Sequence, residues 1–164
     1  MQTSLHAALK GVITAILMIG IALAVYYSGQ PASSPFQYLI YAVYALGIIW
    51  TLLAYRRSAT FSGKFPDLFS QGFRCFIVVT LMMVMFTFAF TKMHPEFADE
   101  AATMYKEQQL KEKNKLPADI ESEAASYKKS YTTVIVYGAI IGYLIIGAGV
   151  TAAASGLLMR RNNS

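Results

Sequence analysis

The dominant feature of this sequence is a set of four long apolar runs, at 8–27, 36–55, 73–91 and 131–159. Charged side chains enter these runs only near an edge, as Lys10 and Arg74 do. A helix needs about 20 mostly apolar residues to cross the hydrocarbon core of a bilayer. Because lipid offers no partner to a polar backbone, such segments are helical. The sequence therefore predicts an all-α, polytopic membrane protein with four transmembrane helices.

The composition agrees with this prediction, since 55% of the residues are hydrophobic and 14% are charged. Soluble domains average about 45–50% and about 25%, so an ordinary soluble enzyme and a disordered tail are excluded. The net charge of +5 comes from basic residues beside apolar runs, where they set membrane orientation. We therefore expect the lipid bilayer, and no nucleic acid, as a partner. The single cysteine, Cys75, is interpreted as a small buried hydrophobic residue.

Four spans place both termini on the same side of the membrane. Arg56, Arg57, Arg160 and Arg161 stand close to span ends on that side. The lysines of segment 92–130 lie mostly far from a span end and so count for less. We predict a multi-pass protein of the bacterial inner (cytoplasmic) membrane with both termini cytoplasmic. The first run is interpreted as a retained span, and the connection 28–35 as a tight turn.

Segment 92–130 is a polar insertion that holds seven lysines and eight acids, which are 15 of the 23 charges in the chain. Pro95 and Pro117 suit first helical positions. Acidic residues follow each proline and lysines come later, an order that complements the helix dipole. The sequence predicts an extramembrane helical hairpin between the third and fourth spans, with a break at 114–117. The second helix of this hairpin is expected to run into the fourth span, within a single membrane domain covering 1–164.

Thin apolar stripes on the two hairpin helices have two interpretations: they pack on each other, or they dock a partner. The candidate docking residues are Phe97, Met104, Ile120 and Tyr127.

Phenylalanine recurs at every fourth position before the third span, as Phe61, Phe65, Phe69 and Phe73. This spacing predicts one face of a short amphipathic helix lying in the membrane interface, with a bend at Gly72. Recognition of a lipid or partner head group is the alternative interpretation.

Small residues line two of the spans, and such residues let helix backbones approach closely in lipid. They are Gly138, Gly142, Gly149 and Gly156 on the fourth span, and Gly11 and Ala15 on the first. We expect these two spans to pack on each other within one chain; packing between copies in a homo-oligomer is the alternative. The fourth span is expected to be the most tightly packed helix, so that leucine at Gly142 or Gly149 would destabilise the fold.

Groups that carry chemistry are missing from the middle of every span, where pumps, proton relays and intramembrane enzymes place ionisable residues. Nucleotide-binding, metalloprotease and serine-hydrolase motifs do not occur in the sequence. His6 and His94 fall on opposite predicted sides. We therefore predict no catalytic residue, no cofactor and no metal site.

Two local patterns resemble the domain-of-unknown-function family 4199, small four-helix membrane proteins of Bacteroidota. One is the phenylalanine series that ends in Gln71-Gly72-Phe73, and the other is His94-Pro95-Glu96-Phe97 followed by a charged helix. The resemblance implies a four-helix topology over nearly the whole chain and assigns no functional residues. It also implies an association with envelope-sugar glycosyltransferases.

The predicted function is that of a non-enzymatic accessory or scaffold subunit of a membrane complex, acting through helix packing and the hairpin. Its partner would be another membrane protein or a second copy of the chain. Two alternatives stay open: a small transporter or channel, and an accessory subunit of an envelope glycosyltransferase that handles lipid-linked sugars.

Overall fold

A computed structural model of the chain describes residues 2–29, 36–112 and 116–160, and these residues form helices joined by short connections. The helices are α1 (Gln2–Tyr27), α2 (Phe36–Arg56), α3 (Phe65–Met93), α4 (Glu96–Glu112) and α5 (Pro117–Arg160). Four of them, α1, α2, α3 and α5, are long and apolar enough to cross a membrane. The predicted all-α class with four spans of membrane length is thereby confirmed.

Three predicted features fall wholly or partly on residues that lie outside this description. They are most of the turn at 28–35, the centre of the break at 114–117, and Arg161. The described part of the first connection begins with a helix stop at Gly29, whose φ is 65°. Its amide donates a hydrogen bond to the carbonyl of Tyr26 at 3.1 Å. A left-handed glycine of this kind is a common way to end a helix.

The third membrane-length helix begins earlier than the sequence predicted, at Phe65 instead of residue 73. It runs without interruption through Gly72, so the predicted separate interfacial helix with a bend at this glycine is wrong. Asp67 lies in the first turn, where a carboxylate is favoured by the helix dipole, and it accepts a hydrogen bond from the hydroxyl of Ser62. Gly72 serves packing instead, since a Cβ there would lie 3.2 Å from Leu52 Cδ2 and 3.0 Å from Thr151 Oγ1.

The last helix, α5, contains 44 residues and is about 66 Å long at 1.5 Å per residue. The hydrocarbon core of a bilayer is only about 30 Å thick. One continuous helix therefore provides both the charged segment that starts at Pro117 and the fourth apolar run, as the sequence predicted.

The chain divides into two compact units. The bundle unit comprises residues 1–83 and 140–164, and the connector unit comprises residues 84–139. Fully buried side chains of the bundle unit include Met18, Tyr44, Ile48, Leu52, Leu68 and Val79. In the connector unit the buried apolar residues are Ala102, Ile120 and Ala124.

Candidate functional site

Close helix packing in the bundle unit depends on glycines at which any side chain would collide with a neighbour. A Cβ at Gly11 of α1 would lie 2.7 Å from the carbonyl oxygen of Cys75 on α3. A Cβ at Gly147 of α5 would lie 2.8 Å from Phe76 Cγ. Carbon atoms make favourable contacts at about 3.5–4.0 Å, so these backbones touch neighbours in a way that only glycine permits.

Gly11 and Ala15 are buried, but the partner of Gly11 differs from the one predicted. Gly11 packs on α3, against Cys75 and Val78, instead of on the fourth span. The adjacent contact of α1 is with α2, where the side chain of Thr14 fills the space beside Gly47. The small residues of α1 that are predicted to pack are thus buried, but Gly11 meets α3 and not the fourth span, because a small residue indicates close approach without indicating which helix approaches.

The buried face of α5 is a series that the sequence analysis did not single out: Gly147, Thr151 and Ser155. Thr151 and Ser155 are both 0% exposed. They stand four residues apart and so share a helix face. A small residue at every fourth position is itself a packing signal, and this pattern could have identified the face.

The predicted glycines of α5 lie on the other side of the helix. Space is open within 4 Å of a Cβ built at Gly138, Gly142, Gly149 or Gly156, as far as the described residues extend. At 100° per residue, Gly149 is about 200° away from Gly147 around the helix. Only 6% of the residues in the apolar window of α5 are buried, against 22–28% in the other three membrane-length helices. The expectation that the fourth span is the most tightly packed helix, held by these glycines, is therefore wrong within one chain.

Hydroxyl groups in the bundle unit mostly bond to their own helix. Thr14 Oγ1 donates to the carbonyl of Lys10 at 2.8 Å. Thr51 Oγ1 donates to the carbonyl of Gly47 at 3.0 Å and lies 3.3 Å from Cys75 Sγ. The hydroxyls of Thr151 and Ser155 are buried and have no hydrogen-bond partner among the described residues.

Polar and aromatic contacts hold α4 against the first turns of α5 in the connector unit. The rings of Tyr105 and Tyr127 are stacked with centroids 5.6 Å apart. The hydroxyl of Tyr105 donates to Glu123 Oε2 at 2.8 Å. Lys106 Nζ lies 2.9 Å from Glu121 Oε1, and a further ion pair joins Lys128 to Asp99.

Three of the four residues predicted to dock a partner are buried or make contacts within the chain. Ile120 is only 2% exposed and is therefore covered by the chain itself. Tyr127 is stacked on Tyr105, and the ring of Phe97 lies 5.9 Å from that of Phe90. Met104 alone of the four candidates is a large exposed hydrophobic residue, at 68%. The four therefore do not form one exposed docking stripe.

The connection between α3 and α4 is fixed by a short polar contact. His94 Nδ1 lies 2.6 Å from Glu96 Oε1. The pKa of the Glu96 carboxyl is lowered, first by a hydrogen bond from its own backbone amide and then by His94. The imidazole of His94 also lies against the ring of Phe90, at 4.6 Å between centroids.

The phenylalanine series before the third span is divided into separate contacts. Phe61 lies in the loop before α3, and its ring meets Tyr55 at 5.7 Å. Phe65 stacks on Phe69 at 5.9 Å, and Phe73 meets Phe76 edge to face at 5.1 Å. Phe61 is outside the helix, so the four rings do not share a single helical stripe.

No group of three or more His, Cys, Asp or Glu residues that could share a metal ion occurs within 2–29, 36–112 and 116–160.

Comparison with known proteins places the chain in a family. The fold and these packing faces define a class of helical protein with four helices of membrane length. The chain belongs to the family described as "Protein of unknown function (DUF4199)", whose family profile matches residues 7–161. No curated protein and no solved structure matches the chain significantly.

Proposed function

We propose that this protein is a non-enzymatic integral membrane protein that serves as an accessory or scaffold subunit. In this proposal α5 presents a packing surface, the α5 glycine face, formed by Gly142, Gly149 and Gly156. The supporting observation is the open space beside each of these glycines. Their seven-residue spacing keeps them on one side of the helix, because seven residues complete almost two turns.

The energetics of lipid make this face suitable for another helix. Lipid chains are as apolar as leucine, so helices associate in a bilayer through close packing rather than through the hydrophobic effect. If neighbours in the same chain filled the space beside these glycines, no room would be left there for a partner helix. Glycines with open space beside them allow a second backbone to approach, and the α5 glycine face therefore favours a transmembrane helix as the partner.

We propose further that α4 and the first turns of α5 form a helical hairpin outside the bacterial inner membrane, with both chain termini in the cytoplasm. The basic residues near span ends support this orientation. The test is cysteine labelling in intact cells on a Cys75→Ala background. A membrane-impermeant maleimide should label Ser122→Cys and leave Asn163→Cys unlabelled. The reverse pattern would overturn the orientation.

The scaffold function is tested by purifying the full chain from native membranes in mild detergent and identifying bound proteins by mass spectrometry. Gly142→Leu and Gly149→Leu should lose the specific partner, or the second copy of this chain, while retaining the thermal stability of the wild type. Ile145→Leu is the matched control, because Ile145 is 68% exposed on the same helix and the change conserves volume. Retention of every partner by both glycine variants would contradict the proposal.

A small transporter or channel is the second candidate function. It is favoured by the hydroxyls of Thr151 and Ser155, which are buried without partners in the described chain, since a polar path through a bundle needs such groups. Proteoliposomes containing the purified protein would be tested for passage of potassium, chloride and phosphate. A flux that disappears in Thr151→Val and Ser155→Ala, with unchanged reconstitution, would favour transport over the scaffold function.

A further inference from the structure

A polar pocket of about 120 Å³ opens in the bundle unit where α1 begins and α2 ends. Its polar lining comes from His6 and Lys10 of α1, Thr51 and Tyr55 of α2, Ser58 just beyond α2, and Gln71 of α3. Three helices thus converge on one cavity, and none of these residues belongs to the α5 glycine face. Ligand binding at this pocket is therefore independent of the scaffold function.

Two of the hydroxyl groups in the pocket already donate hydrogen bonds to backbone carbonyls of the chain. Thr51 donates to the carbonyl of Gly47 at 3.0 Å, and Ser58 donates to the carbonyl of Tyr55 at 2.7 Å. Gln71 differs from both, since it is 6% exposed and its carboxamide has no hydrogen bond to any described residue. Gln71 lines the cavity, so a polar group that enters the pocket can accept a hydrogen bond from its side-chain amide.

The electrostatic environment of the pocket is positive. None of its lining residues is acidic. Lys10 Nζ stands 5.5 Å from the centroid of the Trp50 ring, and no described carboxylate forms an ion pair with it. The end of α2, the loop after it and the start of α3 add further basic residues, namely Arg56, Arg57, Lys64 and Arg74. The acid of this region, Asp67, accepts a hydrogen bond from Ser62.

We infer that this pocket binds a phosphate group with net negative charge, either a phosphomonoester or inorganic phosphate. The ammonium of Lys10 supplies the charge, the amide of Gln71 donates a hydrogen bond, and His6 lies at the rim. Basic pockets between transmembrane helices bind anionic lipid head groups. Pockets for drug-sized molecules begin at about 300 Å³, so this cavity suits the phosphate group itself and not a larger ligand. The phosphate comes either from a phospholipid or from a soluble phosphate.

The experiment measures thermal unfolding of the full chain in a neutral detergent, together with ligand binding by native mass spectrometry. The three probes are dioctanoyl phosphatidic acid, dioctanoyl phosphatidylcholine as the zwitterionic control, and inorganic phosphate. For the wild type we expect phosphatidic acid to raise the melting temperature and phosphatidylcholine to have little effect. Lys10→Met and Gln71→Glu should each weaken binding about tenfold or more, because each removes or repels a charge-assisted contact.

Two matched variants separate binding from folding. Lys129→Met removes a positive charge from the connector unit, which contributes no residue to the pocket lining, and should bind as the wild type does. Lys10→Arg retains the charge and should also bind, and Gln71→Glu provides the test if Lys10→Met does not fold. Stabilisation by phosphatidic acid alone identifies a lipid source, and stabilisation by inorganic phosphate as well identifies a soluble one. The inference is overturned if neither phosphatidic acid nor inorganic phosphate stabilises the wild type, or if Gln71→Glu binds as tightly as the wild type.

Discussion

The hydroxyl of Tyr44 on α2 donates a hydrogen bond to the backbone carbonyl of Tyr143 on α5, at 3.0 Å. The two rings meet edge to face with centroids 5.7 Å apart. One turn further along α5, Gly147 leaves the space that the Tyr44 hydroxyl occupies. This contact joins residues 99 positions apart in the sequence, and it depends on a glycine outside the pattern that the sequence analysis selected.

Replacing Gly147 by leucine should destabilise the bundle unit. The new side chain would overlap the Tyr44 hydroxyl and Phe76, and both of these residues are buried. Overpacking of this kind costs about 1–3 kcal/mol. Thermal unfolding in detergent, followed by circular dichroism, measures the change.

Gly149→Leu is the control for this prediction, since open space lies beside Gly149 in the described chain. Its effect on the purified protein should stay within about 0.5 kcal/mol, as for substitutions away from packed contacts. Equal melting temperatures for the two variants would show that α5 is not held at Gly147.

Removing the Tyr44 hydroxyl should lower the stability of the bundle unit less than Gly147→Leu does, as measured by the same thermal unfolding experiment. Tyr44→Phe keeps the ring and its edge-to-face contact and loses only the hydrogen bond to Tyr143. Such bonds between membrane helices contribute about 0.6 kcal/mol on average and at most about 1.7 kcal/mol. Tyr41→Phe is the matched control, because the hydroxyl of Tyr41 makes no hydrogen bond to the described residues. A larger loss in the free energy of unfolding for Tyr41→Phe than for Tyr44→Phe would contradict the prediction.

The contact between His94 and Glu96 should make the connection after α3 sensitive to acid. The pKa of Glu96 is below its ordinary value of 4.5 in the folded protein, through its own amide and then His94. A lowered folded-state pKa means that the stabilisation is complete above 4.5 and is lost as the pH falls through the folded-state value. The difference in melting temperature between wild type and Glu96→Gln should therefore vanish in strong acid. A difference that stays constant from neutral pH to about pH 3 would exclude this explanation.

The stacked pair Tyr105 and Tyr127 should hold α4 in place more than the ion pairs do. Tyr105→Ala removes both the stack and the hydrogen bond to Glu123, and limited proteolysis should then cut α4 faster than in the wild type. Lys106→Ala should change cleavage little, because the side chains of Lys106 and Glu121 are 41% and 76% exposed, and exposed ion pairs contribute about 0–1 kcal/mol. Faster cleavage in Lys106→Ala than in Tyr105→Ala would reverse this order.

Local signals in the sequence predict most of the helices correctly, but they predict a start for α3 that is too far along the chain. Pro117 and the acids after it indicated where α5 begins, because proline and early carboxylates both favour a helix start. The third span is predicted to begin at residue 73, eight residues after α3 begins, because the apolar run starts there and the phenylalanine series before it predicts a separate interfacial helix. A bend at Gly72 is expected for the same reason, but in the structure this glycine lies against the side chains of Thr151 and Leu52.

The lengths of the apolar runs and the order of the charges are enough to predict four helices of membrane length and a charged helical segment in this chain. Hydrophobic length and charge placement are properties of each segment alone, so they can be calculated without a partner. The face of α5 that packs within the chain, in contrast, follows from contacts with other helices. Gly147, Thr151 and Ser155 are also small residues, and like Gly142, Gly149 and Gly156 they repeat at a helical spacing. Which face is filled depends on the shapes of Tyr44, Phe76 and Leu52 on other helices, and only the packed structure brings these side chains to α5.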